Sequence, residues 1–288
     1  MKKLLYQFDT DPMPSSFDNV VAYDGGADQV TAYGGVDPRN VGGLVDGTIF
    51  TRAPKDKKFT AIFVGGSDMA AGEALLEAVR KKFFGAFRVS VMLDSNGSNT
   101  TAAAAVAWLA HAVPLSGKRA VVLAGTGPVG MRAAFMLSRE GAQVGVLSRT
   151  LARAQAAAQA IKARFGVDVT ALEGADEEAR VRGVRDAHVV LSTGAAGVQL
   201  LAERNWKDSP TLQALLDANA TPPAGIEGVD IMDKGTIKHG KTVFGAIGFG
   251  ALKIAVHRAC IARLFESNDV VLDAEQIFAI AKTMVGKS

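Results

Sequence analysis

The sequence predicts an α/β fold made of two domains. A chain of 288 residues is long enough to bury two hydrophobic cores. Apolar runs with the length of buried strands alternate with amphipathic helical segments. The 31 glycines greatly outnumber the 9 prolines, which suits tight turns between strands and closely packed helices. We expect an α/β domain over 1–112, with the C-terminal helices of 249–288 packed back onto it, and a second α/β domain over 113–248.

In the first half, the order strand, helix, strand indicates a parallel sheet. The predicted elements are a strand over 3–8, a short helix capped by Ser15 and Ser16, a strand over 60–64, a helix over 69–82 with Ser67 or Asp68 as N-cap, a strand over 87–93 and a helix over 100–112. The charged stretch with Lys55, Lys57 and Lys58 precedes the strand over 60–64, and its composition predicts an exposed loop.

The second half has a more regular alternation. Its predicted elements are strands over 119–124, 143–147, 167–171, 188–192 and 212–218, and helices over 128–140, 151–165, 177–184, 249–266 and 274–284. Ligands of open parallel sheets bind at the carboxyl ends of the strands. The segments that follow these strands are therefore the places where binding residues are expected.

Composition and charge exclude several classes of function. The net charge of +3 is too small for the basic surface of a nucleic-acid-binding protein. The single cysteine, Cys260, excludes an internal disulfide, fits a reducing cytoplasm and is interpreted as a packed helix residue. No signal peptide and no apolar run of about 18 residues is visible, so we expect a soluble cytoplasmic protein. The four histidines have no ligand spacing, and we predict no metal site.

A glycine-rich turn follows the strand over 119–124 and opens the next helix. It reads Gly125-Thr126-Gly127-Pro128-Val129-Gly130. Gly125 permits the sharp turn, Gly127 lets a pyrophosphate approach the backbone, and Gly130 lets the helix pack closely on the strand. The helix N-terminus adds unpaired N–H groups and partial positive charge. In this context the pattern predicts a Rossmann-type dinucleotide-binding domain rather than a plain turn.

The end of the next strand predicts which dinucleotide binds. A site for NAD places a carboxylate there to hold the ribose 2′-hydroxyl. This chain instead has Ser148, Arg149 and Thr150, with Arg153 one turn later. A guanidinium and hydroxyl groups suit a 2′-phosphate, so we predict NADP as the cofactor. The alternative is that Arg149 is an ordinary surface residue.

Two further segments follow strands at the same edge. Thr193-Gly194-Ala195 is expected near the nicotinamide ribose, unless it is a plain turn. Asn219 lies in the segment 217–225, whose two prolines fix the backbone, and is expected to contact the cofactor. Lys253 and His257 are four residues apart, so they share one face of a predicted helix. One interpretation places both side chains at the active site, and the alternative places Lys253 in solvent.

Several long segments together resemble one enzyme family. They are QFDTD at 7–11, VAYDGGAD at 21–28, VDGTI at 45–49, FVGGSDMAAG at 63–72, MLDSNGSNTT at 92–101, LAGTGPVGM at 123–131, HRACIA at 257–262 and LFES at 264–267. In these stretches the chain resembles the NADP-dependent methylene-tetrahydromethanopterin dehydrogenases of methylotrophic bacteria. The resemblance covers nearly the whole chain and is more specific than the glycine turn alone.

The resemblance implies a reaction and a set of site residues. A hydride passes from the methylene group of methylene-tetrahydromethanopterin to NADP and leaves the methenyl product, and some members also accept methylene-tetrahydrofolate. The implied fold has a cleft between its two α/β domains, and the implied assembly is a homo-oligomer, with a trimer as one form. The residues that we expect at the pterin are Phe17 and Tyr23 as ring contacts, Asp24, Asn96, Asn99, Thr101 and His257 as polar contacts, and Lys253 as the active-site residue that holds a polar group. Two of these residues have an alternative interpretation without substrate contact: Asp24 caps the turn before Gly25-Gly26, and Asn96 adopts a left-handed turn conformation.

One absence separates this chain from related bifunctional folate enzymes, which use a Tyr-x-x-x-Lys pair for cyclohydrolase activity. Here the residues four positions after Tyr6, Tyr23 and Tyr33 are Thr10, Ala27 and Asp37. We therefore predict no cyclohydrolase activity by that mechanism.

Two other functions fit parts of the sequence. A shikimate-type NADP dehydrogenase shares the glycine turn and the Ser-Arg-Thr signature, but it needs a lysine–aspartate pair in the first domain. The lysines Lys55, Lys57 and Lys58 lie in the charged stretch that predicts an exposed loop, which argues against this function. A redox-sensing module would bind the cofactor without turnover, and no DNA-reading helix supports it.

Overall fold

A computed structural model of the chain describes residues 1–286. The strands are β1 Leu4–Asp9, β2 Gln29–Tyr33, β3 Thr60–Gly65, β4 Ser90–Leu93, β5 Arg119–Leu123, β6 Gln143–Ser148, β7 Thr170–Glu173, β8 Val189–Ser192, β9 Ala214–Asp217, β10 Lys234–Lys238, β11 Lys241–Phe244 and β12 Val271–Leu272. The helices are α1 Ser16–Asp24, α2 Val41–Phe50, α3 Met69–Lys81, α4 Ser98–Ala112, α5 Pro128–Arg139, α6 Leu151–Phe165, α7 Glu177–Val184, α8 Ala246–Arg263 and α9 Ala274–Met284. The predicted α/β fold is confirmed.

The described chain divides into two compact units. Unit 1 contains Met1–Thr100 and Ile254–Ile280, and unit 2 contains Thr101–Lys253 and the chain from Ala281 onward. The division falls within α4 and α8, and again within α9. Each unit has its own sheet.

The sheet of unit 1 is parallel, with strand order β12-β4-β3-β1-β2. All residues of β3 and β4 are buried, because helices cover the faces of a parallel sheet of this kind. A core cluster that includes Phe8, Ile62 and Leu75 joins these strands to α2 and α3. The carboxyl ends of β1, β3 and β4 lie at one edge.

Three elements of unit 1 were not predicted from the sequence: β2, α2 and the two-residue strand β12. β2 is an edge strand whose residues are exposed or half-buried, so it has no apolar run. α2 begins with Val41-Gly42-Gly43, and glycine is a poor helix former. Its helical conformation is instead stabilised by packing of Val45 and Ile49, which are fully buried in the core.

The interpretation of the charged stretch as an exposed loop is wrong for Lys57. Residues Pro54–Phe59 form a 3₁₀ helix, and the Lys57 side chain is fully buried. Its Nζ donates hydrogen bonds to the carbonyl oxygens of Ile49 and Arg52 at the end of α2. The same ammonium lies 4.8 Å from the centroid of the Phe87 ring. Burial lowers the pKa of Lys57.

The sheet of unit 2 has the strand order β10-β11-β9-β8-β5-β6-β7. All pairs are parallel except β10 with β11. The chain runs outward from β5 to β7, then returns to β8 on the other side of β5. This reversal is a topological switch point, where doubly wound sheets bind dinucleotides at the carboxyl edge.

The β10–β11 hairpin was also missed. Its two-residue turn is His239-Gly240, with φ of 49° and 73°. Both central residues therefore have the positive φ of a type I′ turn. Histidine is less common than asparagine or aspartate as the first residue of this turn, so the turn was not recognised. The residues of β10 are mostly polar, so the strand has no apolar pattern.

We predict that Lys57 stabilises unit 1 by capping α2. Lys57→Ala leaves two carbonyl groups without their buried donor, so the free energy of unfolding should fall by about 2 kcal/mol. The matched control is Lys55→Ala, an exposed lysine of the same stretch, which should change it by less than about 0.5 kcal/mol. Denaturant titration of both variants measures the difference. Equal effects would contradict a capping role.

Candidate functional site

The glycine turn of unit 2 lies at the switch point between β5 and α5. Gly127 is the N-cap residue of α5, and Pro128 is the first residue of the helix. Proline lacks a backbone N–H, but at this position no helical hydrogen bond is lost, because the first N–H groups of a helix have no partner within it. The Gly125 amide donates a hydrogen bond of 3.1 Å to the Leu147 carbonyl at the end of β6. The turn is therefore fixed to the neighbouring strand, and the first N–H groups of α5 point away from the helix body.

A Cβ atom would meet different surroundings at each of the three glycines of the turn. A Cβ at Gly130 would lie 2.6 Å from the Gly125 Cα and 2.7 Å from the Thr193 Oγ1, so the close packing of α5 excludes it. A Cβ at Gly125 would lie 3.0 Å from side-chain carbons of Val122 and Val146. At Gly127 nothing lies within 4 Å of that position. The protein leaves open space there, at the helix N-terminus, and this space fits a pyrophosphate.

The residue before this turn has an unusual backbone. Ala124 has a φ of 51°, in the left-handed region that residues with a Cβ rarely adopt. The Thr193 side chain holds this bend: its Oγ1 is 3.2 Å from the Leu123 carbonyl oxygen and 3.3 Å from that of Ala124. Thr193 was predicted as a cofactor contact. The structure gives its hydroxyl these two partners within the turn.

The residues predicted for the 2′-phosphate lie together at the end of β6. Ser148 is buried, whereas Arg149, Thr150 and Arg153 are exposed. Thr150 is the N-cap of α6, and its Oγ1 accepts the Arg153 N–H at 3.4 Å. Two exposed guanidinium groups next to a second helix N-terminus form a cationic site, and they fit a phosphate.

The remaining cofactor predictions lie beyond β8 and β9. Ala195 is exposed, and a Cβ at Gly194 would lie 2.7 Å from the Leu200 Cδ1, so this turn packs tightly. Asn219 is buried; its Oδ1 accepts the Thr221 N–H at 2.9 Å, and its Nδ2 donates to the Pro223 carbonyl at 3.1 Å. The Asn219 amide therefore shapes its own segment.

In unit 1, the predicted pterin residues differ in exposure. Phe17 and Tyr23 are 47% and 50% exposed, and Asn96 is exposed with a φ of 54°. Asp24 is partly exposed and forms an ion pair of 2.5 Å with Arg258. These side chains are on the surface of unit 1.

Asn99 and His257 are fully buried. The Asn99 Nδ2 donates to the Leu93 carbonyl at 2.7 Å and to the Asp273 Oδ1 at 3.2 Å. The His257 ring stacks on Phe63, with centroids 5.4 Å apart, and its Nδ1 is 3.9 Å from the Asp94 Oδ2. Direct contact with a substrate would require both side chains to exchange these partners.

Two important carboxylates of unit 1 were missed. Asp9 accepts the N–H groups of Asp11 at 3.0 Å and of Ser15 at 3.1 Å, which fixes the loop before α1. Asp94 accepts the N–H groups of Asn99 at 2.9 Å and Thr100 at 3.1 Å, which fixes the loop before α4. The signal available in the sequence was their position directly after an apolar strand.

Thr101 and Lys253 belong to unit 2 and are both half-buried. Lys253 is in α8, whose start is anchored by two glycines. A Cβ at Gly245 would lie 1.9 Å from the Asp230 carbonyl oxygen, and one at Gly248 would lie 1.8 Å from that of Asp233. Only glycine permits this approach, which fixes the first turn of α8 against the segment 230–233.

Within residues 1–286, no group of at least three His, Cys, Asp or Glu side chains is arranged to hold a metal ion. No helix in this part of the chain combines the length and the apolar character needed to cross a membrane.

Comparison with known proteins identifies relatives of nearly full length. Residues 16–96 match the family model "Methylene-tetrahydromethanopterin dehydrogenase, N-terminal". The "Bifunctional protein MdtA" of Methylorubrum extorquens is 58% identical, over 98% of this chain and 99% of the relative. An "NAD(P)-dependent methylenetetrahydromethanopterin dehydrogenase" of the same organism is 35% identical, over 94% of this chain and 95% of the relative.

Solved structures share the fold at low sequence identity. A shikimate 5-dehydrogenase from Mycobacterium fortuitum has a TM-score of 0.54 and 16% identity, with 97% of this chain and 98% of that one covered. A quinate dehydrogenase from Corynebacterium glutamicum, in complex with NAD, has a TM-score of 0.53 and 14% identity, with the same coverage of 97% and 98%. These similarities concern the fold alone.

We predict that the left-handed conformation of Ala124 costs stability. Ala124→Gly should raise the free energy of unfolding by about 1 kcal/mol, because glycine adopts positive φ without steric cost. Ala120→Gly, in the regular and buried part of β5, is the control and should lower stability. Denaturant titration compares the two variants. A destabilised Ala124→Gly would show that the bend is not strained.

Proposed function

Because this chain belongs to the methylene-tetrahydromethanopterin dehydrogenase family, we propose that it transfers a hydride from methylene-tetrahydromethanopterin to NADP. The methenyl compound is the product. The observation that carries the proposal is the 35% identity to an NAD(P)-dependent methylenetetrahydromethanopterin dehydrogenase over 94% of the chain, which includes both units. The open glycine turn at the switch point of unit 2 supports it independently, since it fits the dinucleotide that the reaction needs.

The chemistry explains why no acid–base pair is needed. The hydride leaves a carbon between two nitrogens, and their lone pairs stabilise the resulting cation without a proton transfer. NADP supplies the ring that accepts the hydride. The protein has to hold the donor and acceptor carbons about 3–3.5 Å apart and exclude water.

In unit 2, the geometry supports the proposed binding roles. The N-terminus of α5 and the space at Gly127 would hold the pyrophosphate, and Ser148, Arg149 and Thr150 would hold the 2′-phosphate, with Arg153 near them. Preference for NADP over NAD rests on the absence of a carboxylate and the presence of two guanidinium groups between 148 and 153.

For the pterin, we assign different roles to exposed and buried residues. Phe17, Tyr23 and Asn96 are exposed and are proposed to contact the substrate, while Asp24, Thr101 and Lys253 are proposed to supply polar contacts. The buried Asn99 and His257 are proposed to shape the site without touching the pterin.

Methylene-tetrahydrofolate is a second proposed substrate, since it carries the same reacting group. A shikimate-type reaction is less well supported, because it needs a lysine–aspartate pair for the carbonyl. Lys57 is buried at the end of α2 and bonded to carbonyl oxygens, so it is unsuited to that role. A homo-oligomeric state and a cytoplasmic location stay predictions.

Turnover tests the proposed reaction directly. Absorbance of NADPH at about 340 nm should rise with methylene-tetrahydromethanopterin, rise also with methylene-tetrahydrofolate, and stay constant with shikimate. The methenyl product should persist in the presence of the enzyme as long as in buffer, since the cyclohydrolase pair is absent. Binding of NADP without turnover on either pterin would support a sensing role instead.

We predict that Arg149 selects NADP. Arg149→Gln removes a charge-assisted contact with the 2′-phosphate, so the dissociation constant for NADP should rise roughly 10- to 100-fold, and that for NAD should change little. Arg139→Gln, an exposed arginine at the end of α5, is the control. Calorimetric titration with both dinucleotides measures the ratio. Equal losses for NADP and NAD would refute a selective role.

A further inference from the structure

A buried carboxylate holds both ends of the segment that follows β9. Asp217 is 1% exposed and is the last residue of that strand. Its Oδ1 accepts the Asn219 N–H at 3.1 Å, and its Oδ2 accepts the Ile226 N–H at 3.0 Å. One side chain therefore fastens the start and the end of residues 218–226. Burial raises the pKa of Asp217, and the hydrogen bonds from Ile226 and Asn219 act in the opposite direction.

The segment is also closed internally. The Asn219 side chain bonds to the backbone of Thr221 and Pro223, as described above. No helix or strand forms within 218–226, and its regular backbone pairing is confined to the β-bridge between Ile226 and Leu201, so these side-chain contacts hold the rest of the segment. The conformation of the segment depends on Asp217 and Asn219.

Gly225 brings the backbone close enough to reach the carboxylate. A Cβ at this position would lie 2.8 Å from the Asp217 Oδ1 and 2.4 Å from the Ser192 Oγ. Its carbonyl accepts the N–H groups of Leu200 at 2.8 Å and Leu201 at 3.1 Å. The far end of the segment is thus packed against the ends of both β8 and β9.

The place of this segment in the sheet relates it to one half of the dinucleotide. The residues for the 2′-phosphate follow β6, on one side of the switch point. β8 and β9 lie on the other side, with the pyrophosphate site at α5 between them. A dinucleotide that spans the switch point extends its nicotinamide half over the ends of β8 and β9, where residues 218–226 lie.

We propose that Asp217 is a positioning residue that holds residues 218–226 as the wall for the nicotinamide half of the cofactor. The inference rests on the proposed dinucleotide site. Asp217 is buried and acts through this segment, not through contact with the reacting atoms. A purely structural role would affect both halves of the cofactor site equally, whereas a positioning role affects the nicotinamide half alone.

The test compares the whole cofactor with its adenosine half in the full-length protein. Asp217→Asn puts an NH₂ group against the backbone N–H groups. The dissociation constant for NADP should rise roughly tenfold or more, and that for 2′,5′-ADP should stay within about twofold. kcat should fall in parallel. Asp208→Asn, an exposed carboxylate between β8 and β9, is the control and should change neither constant.

A second measurement uses the unaltered protein and does not depend on the folding of a variant. Hydrogen exchange followed by mass spectrometry should slow in residues 218–226 when NADP binds, and should not slow there when 2′,5′-ADP binds. Unchanged exchange with NADP, or equal loss of both ligands in a folded Asp217→Asn variant, would overturn the proposal. If the unaltered protein binds NADP but does not oxidise the pterin, the proposed reaction fails while these comparisons still decide the role of Asp217.

Discussion

Backbone N–H groups in the loops that leave a buried parallel strand need acceptors, and this requirement shapes both units. Asp9, Asp94 and Asp217 provide these acceptors, each at or directly after the end of a strand, and each is at most 1% exposed. Asp9 and Asp217 accept backbone N–H groups of the loop that follows, and Asp94 accepts those of the first turn of α4. A buried carboxylate is costly when it lacks donors, so each loop and its aspartate depend on each other. These contacts fix the conformation of the loops at the binding edges, although the loops have little regular secondary structure.

Glycine has two separate uses at the same edge. Gly125, Gly130 and Gly225 are required by the fold itself, because protein atoms occupy the place of a side chain. Gly127 is different, since the place of its side chain is empty of protein. The glycine motif already predicts that Gly127 leaves room for the ligand while Gly125 and Gly130 serve the turn and its packing, and the surroundings of each position fit that prediction.

The sequence predicted elements with a strong apolar period and a clear boundary signal. The helices Leu151–Phe165, Glu177–Val184 and Ala274–Met284 have the predicted limits. β4 begins at Ser90 rather than at 87, and β7 lies at 170–173 rather than 167–171, because short strand ends carry little periodic signal. Lys57 was misplaced since its burial depends on carbonyl groups of α2, a helix that the sequence did not reveal. Asp217 has partners up to nine residues away in an irregular segment, and no local pattern predicts such a contact.

The proposed reaction explains why carboxylates and a histidine of the candidate site can be buried as framework. A hydride transfer in which substrate nitrogens stabilise the cation asks for no group that titrates near neutral pH. Asp94 and His257 can therefore lie fully buried behind the loop that carries Asn96, where a general acid or base would have to reach the substrate. For such a reaction the rate depends on how precisely two carbons are held. In such an enzyme the residues that fix loop conformation matter as much to catalysis as those that touch the ligands, although they never contact the reacting atoms.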